Sequence, residues 1–290
     1  MSYYKVLGFE KEPFSTSPDP DFFYSSPGHE AALTNILIEL RLKRGLSVIL
    51  GDVGTGKTTL SRKLIQELKS RDDCLFHMIL DPSYDDPASF LMTFSKNLGI
   101  EPPGSENGHS VATIRESLER FLFQKGAVEN KTVALIVDEA QKLSPMSLEI
   151  LRVLLNYETN EHKLLQLVLL GQVELQTKLK ELPNFFDRIS YRGKLEPLGY
   201  DEMKELIFFR IQQAGYRTRM DLFLEEALHL IHDHTGGYPR QVTMLCHRAL
   251  KELLLKNKFV VDASMIISII EEEVRTGWQR NDPLLQKNNC

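Results

Sequence analysis

The sequence predicts an α/β fold, a parallel sheet flanked by helices, followed by a small all-helical domain. Three observations predict it. A glycine-rich loop, residues 51–58, stands between a short apolar strand and an amphipathic helix. Apolar strands alternate with helices as far as Pro197, which is typical of a parallel sheet covered on both faces. Beyond Pro197 only helical periodicity remains.

Helices are predicted where apolar residues recur every three or four positions, and strands where short runs are continuously apolar. Asp201 and Asp262 are predicted as helix N-caps and Pro239 as a first-turn residue. Strands are expected at 46–50, 75–80, 132–137 and 164–170. Helices are expected at 29–42, 59–68, 88–98, 111–123 and 147–157, then at 201–214, 222–233, 239–257 and 262–275.

Four segments are predicted. Residues 1–28 are rich in aromatic residues and prolines, which favours an extended arm packed over the next domain. Residues 29–197 form the α/β domain, residues 198–275 the helical domain and residues 276–290 a frayed polar tail. Within the α/β domain, residues 99–110 are the most loop-like stretch.

Composition limits the classes of function. The 290 residues are 42% hydrophobic, enough for one large or two modest domains. A net charge of -5 gives no overall attraction to nucleic acid or anionic lipid. Three scattered cysteines (Cys74, Cys246 and Cys290) suit a reducing compartment. With no signal-peptide core and no run of about 20 apolar residues, we expect a cytoplasmic protein without a membrane span.

The loop from Gly51 to Thr58 fits G-x-x-x-x-G-K-[ST], a motif that cradles nucleotide phosphates. Its glycines let backbone N–H groups turn inward, and the following helix adds its positive N-terminus. Lys57 is expected to reach the β- and γ-phosphates, and the Thr58 hydroxyl to hold Mg²⁺. The predicted ligands are therefore ATP and Mg²⁺. The predicted nucleotide-binding residues are Gly51, Asp52, Val53, Gly54, Thr55, Gly56, Lys57, Thr58 and Thr59.

A second signal is the run from Ala134 to Val137, four apolar residues followed by Asp138 and Glu139. A carboxylate at the C-terminal end of a parallel strand lies beside the phosphate loop. We therefore predict that Asp138 binds the Mg²⁺ shell and that Glu139 is the general base for the attacking water.

Four further residues carry open alternatives. Gln172 follows the next strand and is predicted either to orient the water or to be an ordinary helix cap. Arg188 and Arg192 are candidates to reach a neighbouring subunit's γ-phosphate. The alternative is a surface arginine that pairs with Asp187 or Glu196. Arg240 opens a helix of the second domain, either sensing the nucleotide or simply solvated.

Two clusters look functional but favour plainer interpretations. Three histidines, His229, His232 and His234, with Cys246 and His247 beyond, fit no standard zinc spacing. The basic cluster Arg41, Lys43 and Arg44 is interpreted as a solvated helix end in preference to a nucleic-acid patch.

With these motifs in order, the chain resembles the AAA+ ATPases of the general secretion pathway protein A type, which have relatives in mannose-sensitive pilus biogenesis. The resemblance runs from Tyr4 to about Val274 and includes Val137-Asp138-Glu139-Ala140-Gln141 and Gly236-Gly237-Tyr238-Pro239-Arg240. It implies that Asp138 and Glu139 are the Walker B pair. By the same resemblance Gln172 sits at sensor 1, Arg240 at sensor 2, and Arg188 is the better finger candidate, with Arg192 second.

The resemblance also implies an oligomeric, ring-forming ATPase that helps assemble a secretion or type IV pilus apparatus. The secretion protein of this type carries a membrane span and a periplasmic part, so we expect a cytosolic pilus-associated relative or an excised domain. The alternative is a DNA-binding AAA+ transposition regulator, and a blander one is a nucleotide-binding scaffold. The acidic balance and the absence of a basic tail favour the first function.

Overall fold

The structure, a computed structural model, describes residues 3–17, 19–84, 86–100, 110–217 and 221–277. Most of the predicted 99–110 loop and most of the predicted tail lie outside these residues. The chain divides into two compact units. The α/β unit is Pro18–Glu196, and the helical unit combines Met1–Ser17 with Pro197–Cys290.

The α/β unit is built on a five-stranded sheet in which every neighbouring pair is parallel. Its strand order is β2-β3-β4-β1-β5. The strands are Leu46–Gly51 (β1), Cys74–Ile79 (β2), Thr132–Val137 (β3), Leu165–Gly171 (β4) and Ile189–Leu195 (β5). The predicted parallel sheet is confirmed, and its order places the C-terminal end of β4 between those of β1 and β3.

Helices cover both faces of this sheet because alternate strand residues point to opposite sides. On one face Ile49, Ile136 and Val168 pack with apolar residues of the helices Pro27–Arg41 and Lys57–Lys69. On the other face Val48, Leu135 and Leu169 pack against the remaining helices. The helices of this unit are Pro27–Arg41 (α2), Lys57–Lys69 (α3), Pro87–Asn97 (α4), Val111–Leu122 (α5), Pro145–Leu154 (α6), Val173–Lys180 (α7) and Pro183–Phe186 (α8), with a π-helical turn at Phe123–Val128 and 3-10 turns at Pro20–Phe22 and Ala140–Lys142.

Strand β5 is absent from the sequence-based prediction. It pairs with β1 at the edge of the sheet, and within it only Ile189 and Leu195 are buried. The residues between them alternate between exposed and half-buried, as an edge strand permits. A segment with two buried residues in seven lacks the continuous apolar run by which the other strands are found.

The helical unit contains α1 and α9 to α12. Their bounds are Tyr3–Val6 (α1), Tyr200–Gln213 (α9), Glu225–Thr235 (α10), Pro239–Leu255 (α11) and Ala263–Arg275 (α12). Asp262 caps α12 by accepting from the Met265 N–H at 2.9 Å, and Pro239 begins α11, so both predictions are confirmed. Asp201 is not an N-cap, because α9 begins one residue earlier, after Gly199. Among the described residues, no helix combines the length and apolarity needed to cross a bilayer.

The N-terminal segment 3–17 belongs to the helical unit. Phe9 stacks on Tyr216 at 4.8 Å between ring centroids, and Phe14 packs edge-on against Phe223. Arg210 of α9 donates to the Pro13 and Ser15 carbonyls at 2.8 and 2.7 Å. The prediction that the arm packs over the following α/β domain is therefore wrong for these residues, because Phe9 and Phe14 are buried in the helical unit.

Gly237 has one of the tightest backbone environments in the helical unit. Its φ is +73°, and a Cβ there would lie 2.0 Å from the Leu198 carbonyl oxygen. Gly237→Ala is expected to lower the free energy of unfolding by about 2–5 kcal/mol, since left-handed strain and a backbone clash add together. Thermal melting measures it.

The neighbouring glycine is the matched control. Gly236 has φ +57°, but the nearest atoms to a Cβ there are those of the Tyr238 ring, at 3.6 Å. Gly236→Ala is expected to cost only the strain of about 1–2 kcal/mol. Equal losses in the two variants would contradict the Leu198 contact as the cause.

Candidate functional site

The glycine loop follows β1 and leads into α3. Gly54 and Gly56 adopt φ of +91° and +100°, a region that disfavours other residues. Thr55 is fully buried, and its hydroxyl donates to the Asp52 carbonyl at 2.9 Å. These contacts hold the loop in a tight turn ahead of α3, so the first N–H groups of that helix open onto the loop.

Lys57 is buried, with 6% of its surface exposed. Its ammonium donates to the Gly51 and Asp52 carbonyls at 2.7 and 2.9 Å. Burial lowers the pKa of this ammonium, while Glu139, Asp138 and more distant acids act in the opposite sense. The loop therefore holds a desolvated cation whose present partners are carbonyls of the loop itself.

Asp138 follows β3 and is also buried, with 1% exposed. Burial raises the pKa of its carboxyl group, and a hydrogen bond with the Thr58 side chain opposes that effect. The carboxylate also accepts from the Glu139 N–H at 2.9 Å. The contact with Thr58 joins the first turn of α3, which follows β1 and the glycine loop, to the end of β3, and β4 separates these two strands in the sheet.

Glu139 is half-buried and has the left-handed conformation, with φ +51°. Its carboxylate accepts from Gln141 Nε2 at 2.7 Å. The other end of that amide, Gln141 Oε1, accepts from the Gln172 N–H at 3.1 Å. Gln141 is thus a contact of the site to which the sequence analysis assigns no role, although it follows Glu139 by two residues.

Gln172 stands at the N-cap position of α7, but its side chain makes no capping hydrogen bond. Gln172 therefore occupies the position of a helix cap, but its side chain does not act as a cap. The structure brings Gln172 together with Glu139 through Gln141, using its backbone N–H.

His29 is a second residue that the sequence analysis does not identify. It is buried in the first turn of α2, where Nδ1 contacts the Ser26 hydroxyl at 2.7 Å and Nε2 contacts the Thr55 carbonyl at 2.9 Å. A carbonyl only accepts, so Nε2 carries the proton. A Cβ on Gly56 would lie 2.7 Å from the same nitrogen, so His29 supports the underside of the loop. A lone histidine in a helical pattern gives no signal of this contact.

The two finger candidates lie on or beside β5. Arg188 is half-buried and donates to the Arg152 carbonyl at 2.9 Å. Arg192 is exposed; its guanidinium lies 4.2 Å from the centre of the Phe186 ring and donates to the Phe186 carbonyl at 3.2 Å. None of these contacts is the predicted alternative pairing with Asp187 or Glu196; Glu196 pairs with Lys194 at 2.5 Å.

Arg240 belongs to the helical unit, where it is exposed in the first turn of α11. The three clustered histidines do not converge on one point there: His229 stacks on Tyr200, His232 contacts the Leu198 carbonyl and the edge of the same tyrosine, and His234 contacts Glu273. Within the described ranges, no group of three metal-ligating side chains is assembled.

The basic cluster before β1 lies at the opposite end of that strand from the glycine loop. Lys43 donates to the Asn130 side chain at 2.8 Å, and Arg44 approaches Glu39 at 3.8 Å. Arg41 and Lys43 border a surface pocket of about 750 Å³ that also contains Asp73 and Glu161. Acidic and basic groups are therefore mixed at this place.

Residues 40–179 match the AAA domain family. General secretion pathway protein A of Aeromonas hydrophila is 35% identical to the chain over 257 residues, which cover 86% of this chain and 44% of that protein. The chain is an AAA+ protein of the general secretion pathway protein A type. It spans less than half the length of that relative.

Solved structures share the fold of this AAA+ protein. The ORC2 protein of Aeropyrum pernix, in ADPNP and ADP complexes, matches with a TM-score of 0.63 and 17% identity, over 91% of this chain and 72% of that one. The ORC1 protein of Aeropyrum pernix in complex with DNA matches with a TM-score of 0.65 and 16% identity, over 90% and 69%. At these identities the likeness concerns the fold alone.

The donor set of the AAA+ protein fits a magnesium nucleotide. A buried ammonium, the first N–H groups of α3 and a positive-φ loop are the groups that hold polyphosphate. The hydroxyl and carboxylate of Thr58 and Asp138, already in contact, are oxygen ligands of the kind Mg²⁺ prefers. The site of this AAA+ protein thus has the chemistry for both ligands.

Asp138→Asn is expected to raise the melting temperature of the nucleotide-free AAA+ protein by roughly 2 °C or more. The amide keeps the shape and the hydrogen bonds while removing a buried charge. Because the folded-state pKa of Asp138 is raised, its ionised carboxylate destabilises the folded protein most at high pH. This destabilisation disappears as pH falls through that pKa. The gain from Asn should therefore shrink towards acidic pH.

The control for this prediction is Asp73→Asn. Asp73 is exposed, and a hydrogen bond from Arg71 lowers the pKa of its carboxyl group, so its replacement should not raise the melting temperature. Melting curves at several pH values measure both variants. An Asp138→Asn protein less stable than the parent at pH 8 would contradict the cost of burying this carboxylate.

Proposed function

We propose that the chain binds ATP with Mg²⁺ and hydrolyses it, and that nucleotide state controls its self-association during assembly of a bacterial secretion or pilus apparatus. The single observation that supports hydrolysis best is the hydrogen bond between Thr58 and Asp138. It unites a phosphate loop with a strand-end carboxylate, the two parts that such a reaction requires.

In this proposal each residue of the site has one task. The loop N–H groups and Lys57 hold the β- and γ-phosphates, and Lys57 exchanges its carbonyl partners for phosphate oxygens. Thr58 and Asp138 hold Mg²⁺, which supplies charge neutralisation on the phosphates. Glu139 accepts the proton of the attacking water. Its Oε2 accepts from Gln141, and we assign Oε1 to the water.

The arginines provide the proposed link between subunits. Arg192 is exposed on the edge strand and held over Phe186, whereas Arg188 is half-buried against the Arg152 carbonyl. Each arginine must give up one carbonyl partner to reach a neighbour's γ-phosphate, but Arg192 is the more exposed of the two and its hydrogen bond, to Phe186 at 3.2 Å, is the longer. We therefore place Arg192 ahead of Arg188 as the finger and keep Arg240 as the proposed nucleotide sensor.

The biological setting rests on similarity. The relative at 35% identity is named for the general secretion pathway, and the match covers 86% of this chain. A net charge of -5 also disfavours a protein that works by coating DNA. Both considerations support service to a secretion or pilus apparatus, with proteins of that apparatus as partners.

Phosphate release from ATP, with and without Mg²⁺, tests the enzymatic part. Light scattering in the presence of ADP or a non-hydrolysable ATP analogue tests the assembly part. We expect magnesium-dependent turnover and a larger particle with the analogue. Absence of both nucleotide binding and turnover would overturn the proposal, and turnover at constant mass would remove the self-association.

A DNA-binding titration at two salt concentrations tests the setting. Strong binding that weakens with salt and stimulates turnover would replace the secretion assignment with a DNA-dependent one. We expect no stimulation, because the chain is acidic overall.

A further inference from the structure

Gln141 is the side chain that joins the proposed general base to the next strand. It lies in the 3-10 turn Ala140–Lys142, directly after Glu139, and is half-buried. Its amide makes one hydrogen bond at each end, to the Glu139 carboxylate at 2.7 Å and from the Gln172 N–H at 3.1 Å. Glu139 and the junction between β4 and α7 are therefore tied through one amide.

The orientation of this amide follows from its partners. The Gln172 N–H can only donate, so it must face Gln141 Oε1, and an ionised carboxylate can only accept, so Glu139 must face the Nε2 group. Reversing the amide would break both hydrogen bonds. The contact between Gln141 and Glu139 is therefore directional.

The turn that carries Gln141 is fixed from a second side. The Lys178 ammonium of α7 donates to the Gln141 carbonyl at 2.5 Å and to the Leu143 carbonyl at 3.2 Å. A Cβ on Gly171 would lie 3.2 Å from Gln141 Oε1, so the end of β4 also passes close to this amide. The backbone and the side chain of Gln141 are thus both held by the β4–α7 segment.

We infer that Gln141 is a positioning residue that aims the Glu139 carboxylate and couples it to the β4–α7 junction. The inference rests on the proposed ATP hydrolysis. The hydrogen bond from Gln141 to Oε2 of Glu139 restricts rotation of a side chain that has three torsions. The other carboxylate oxygen, Oε1, is therefore held in one direction. A movement of the junction, where Gln172 lies, is transmitted to the base through this amide.

Gln141→Met and Gln141→Glu test the inference by steady-state kinetics with ATP. Methionine keeps the size and removes both hydrogen bonds, whereas glutamate keeps the acceptor for Gln172 and loses the donor to Glu139. We expect kcat to fall about 10- to 100-fold in both variants, since a misaimed base costs this much, while KM stays within about twofold. Gln124→Met is the control, because Gln124 also donates to a glutamate, Glu129 at 3.4 Å, but on an exposed surface.

The outcomes separate cleanly. A raised KM with unchanged kcat would make Gln141 a binding residue and overturn the inference. A loss in Gln141→Met without one in Gln141→Glu would assign the effect to Gln172 and overturn it too.

A double variant completes the test. If Gln141 acts only through Glu139, then adding Gln141→Met to Glu139→Gln should cause no further loss of turnover, and an additive loss would contradict this. If Glu139→Gln is inactive but Gln141→Met matches the parent, only the inference fails. A parent protein without turnover overturns the proposed function and the inference together.

Discussion

Glu139→Gln is expected to hydrolyse ATP about 100 to 10,000 times more slowly than the parent, the usual contribution of a general base. The amide has nearly the shape of the carboxylate and still offers an oxygen to Gln141 Nε2, whose present distance is 2.7 Å. It cannot take a proton from water. Nucleotide affinity should stay close to that of the parent, because the loop and Asp138 are unchanged.

Phosphate release and a nucleotide titration, performed on the same preparations, measure the two effects separately. Glu116→Gln is a suitable control, since Glu116 is an exposed residue of α5 that pairs with Arg120 at 3.6 Å. Equal turnover in Glu139→Gln and the parent would contradict Glu139 as the general base, and negligible turnover in both would leave a nucleotide-binding scaffold.

Lys57→Ala is expected to weaken ATP binding by about 10- to 150-fold, since a hydrogen bond to a charged group contributes roughly 1.5–3 kcal/mol. Lys63→Ala is the matched control on the same helix, because the contacts of Lys63 are surface ones, with Glu67 at 3.1 Å and Gln66 Oε1 at 3.2 Å. A calorimetric titration measures both. Unchanged affinity in Lys57→Ala would remove this ammonium from the phosphate site.

The pH dependence of ATP binding gives an independent check on Lys57. Burial lowers the pKa of its ammonium below the usual 10.5. As pH rises through this lowered pKa, the free protein loses the charge that phosphate needs, so affinity should begin to fall below pH 10.5. The Lys57→Ala protein should lack this part of the profile.

The sheet shows how far sequence patterns reach. Strands β1, β3 and β4 are nearly continuously buried, and their apolar runs predict them directly. Strand β5 has only Ile189 and Leu195 buried, because it lies at the edge. Its pairing with β1 is set by tertiary contacts that no local pattern records.

The prediction for residues 3–17 of the N-terminal arm failed for a related reason. The aromatic residues of the arm do predict burial, but Phe9 and Phe14 pack against Tyr216 and Phe223, about 200 positions away in the sequence. Because the arm is adjacent in sequence to the α/β domain, burial against that domain is expected from the sequence. Residues 3–17 instead belong to the helical unit at the other end of the chain. Composition can indicate that a segment is buried without indicating where.

The candidate site divides in the same way. Lys57, Thr58, Asp138 and Glu139 belong to motifs whose spacing has a chemical reason, so the sequence identifies them. Gln141 and His29 act through single hydrogen bonds across the fold, to Gln172 and Thr55. Such contacts depend on the register of strands and turns, which spacing along the chain does not give.

The assignment of residues 3–17 to the helical unit has a consequence for dissecting the gene. The chain crosses between the units at two places, after Ser17 and after Glu196. A single protease cut at either place would leave the two units covalently linked through the other crossing. The α/β unit can be expressed as one uninterrupted segment, but the helical unit cannot, and a C-terminal fragment starting at Pro197 would lack the rings of Phe9 and Phe14 from its core.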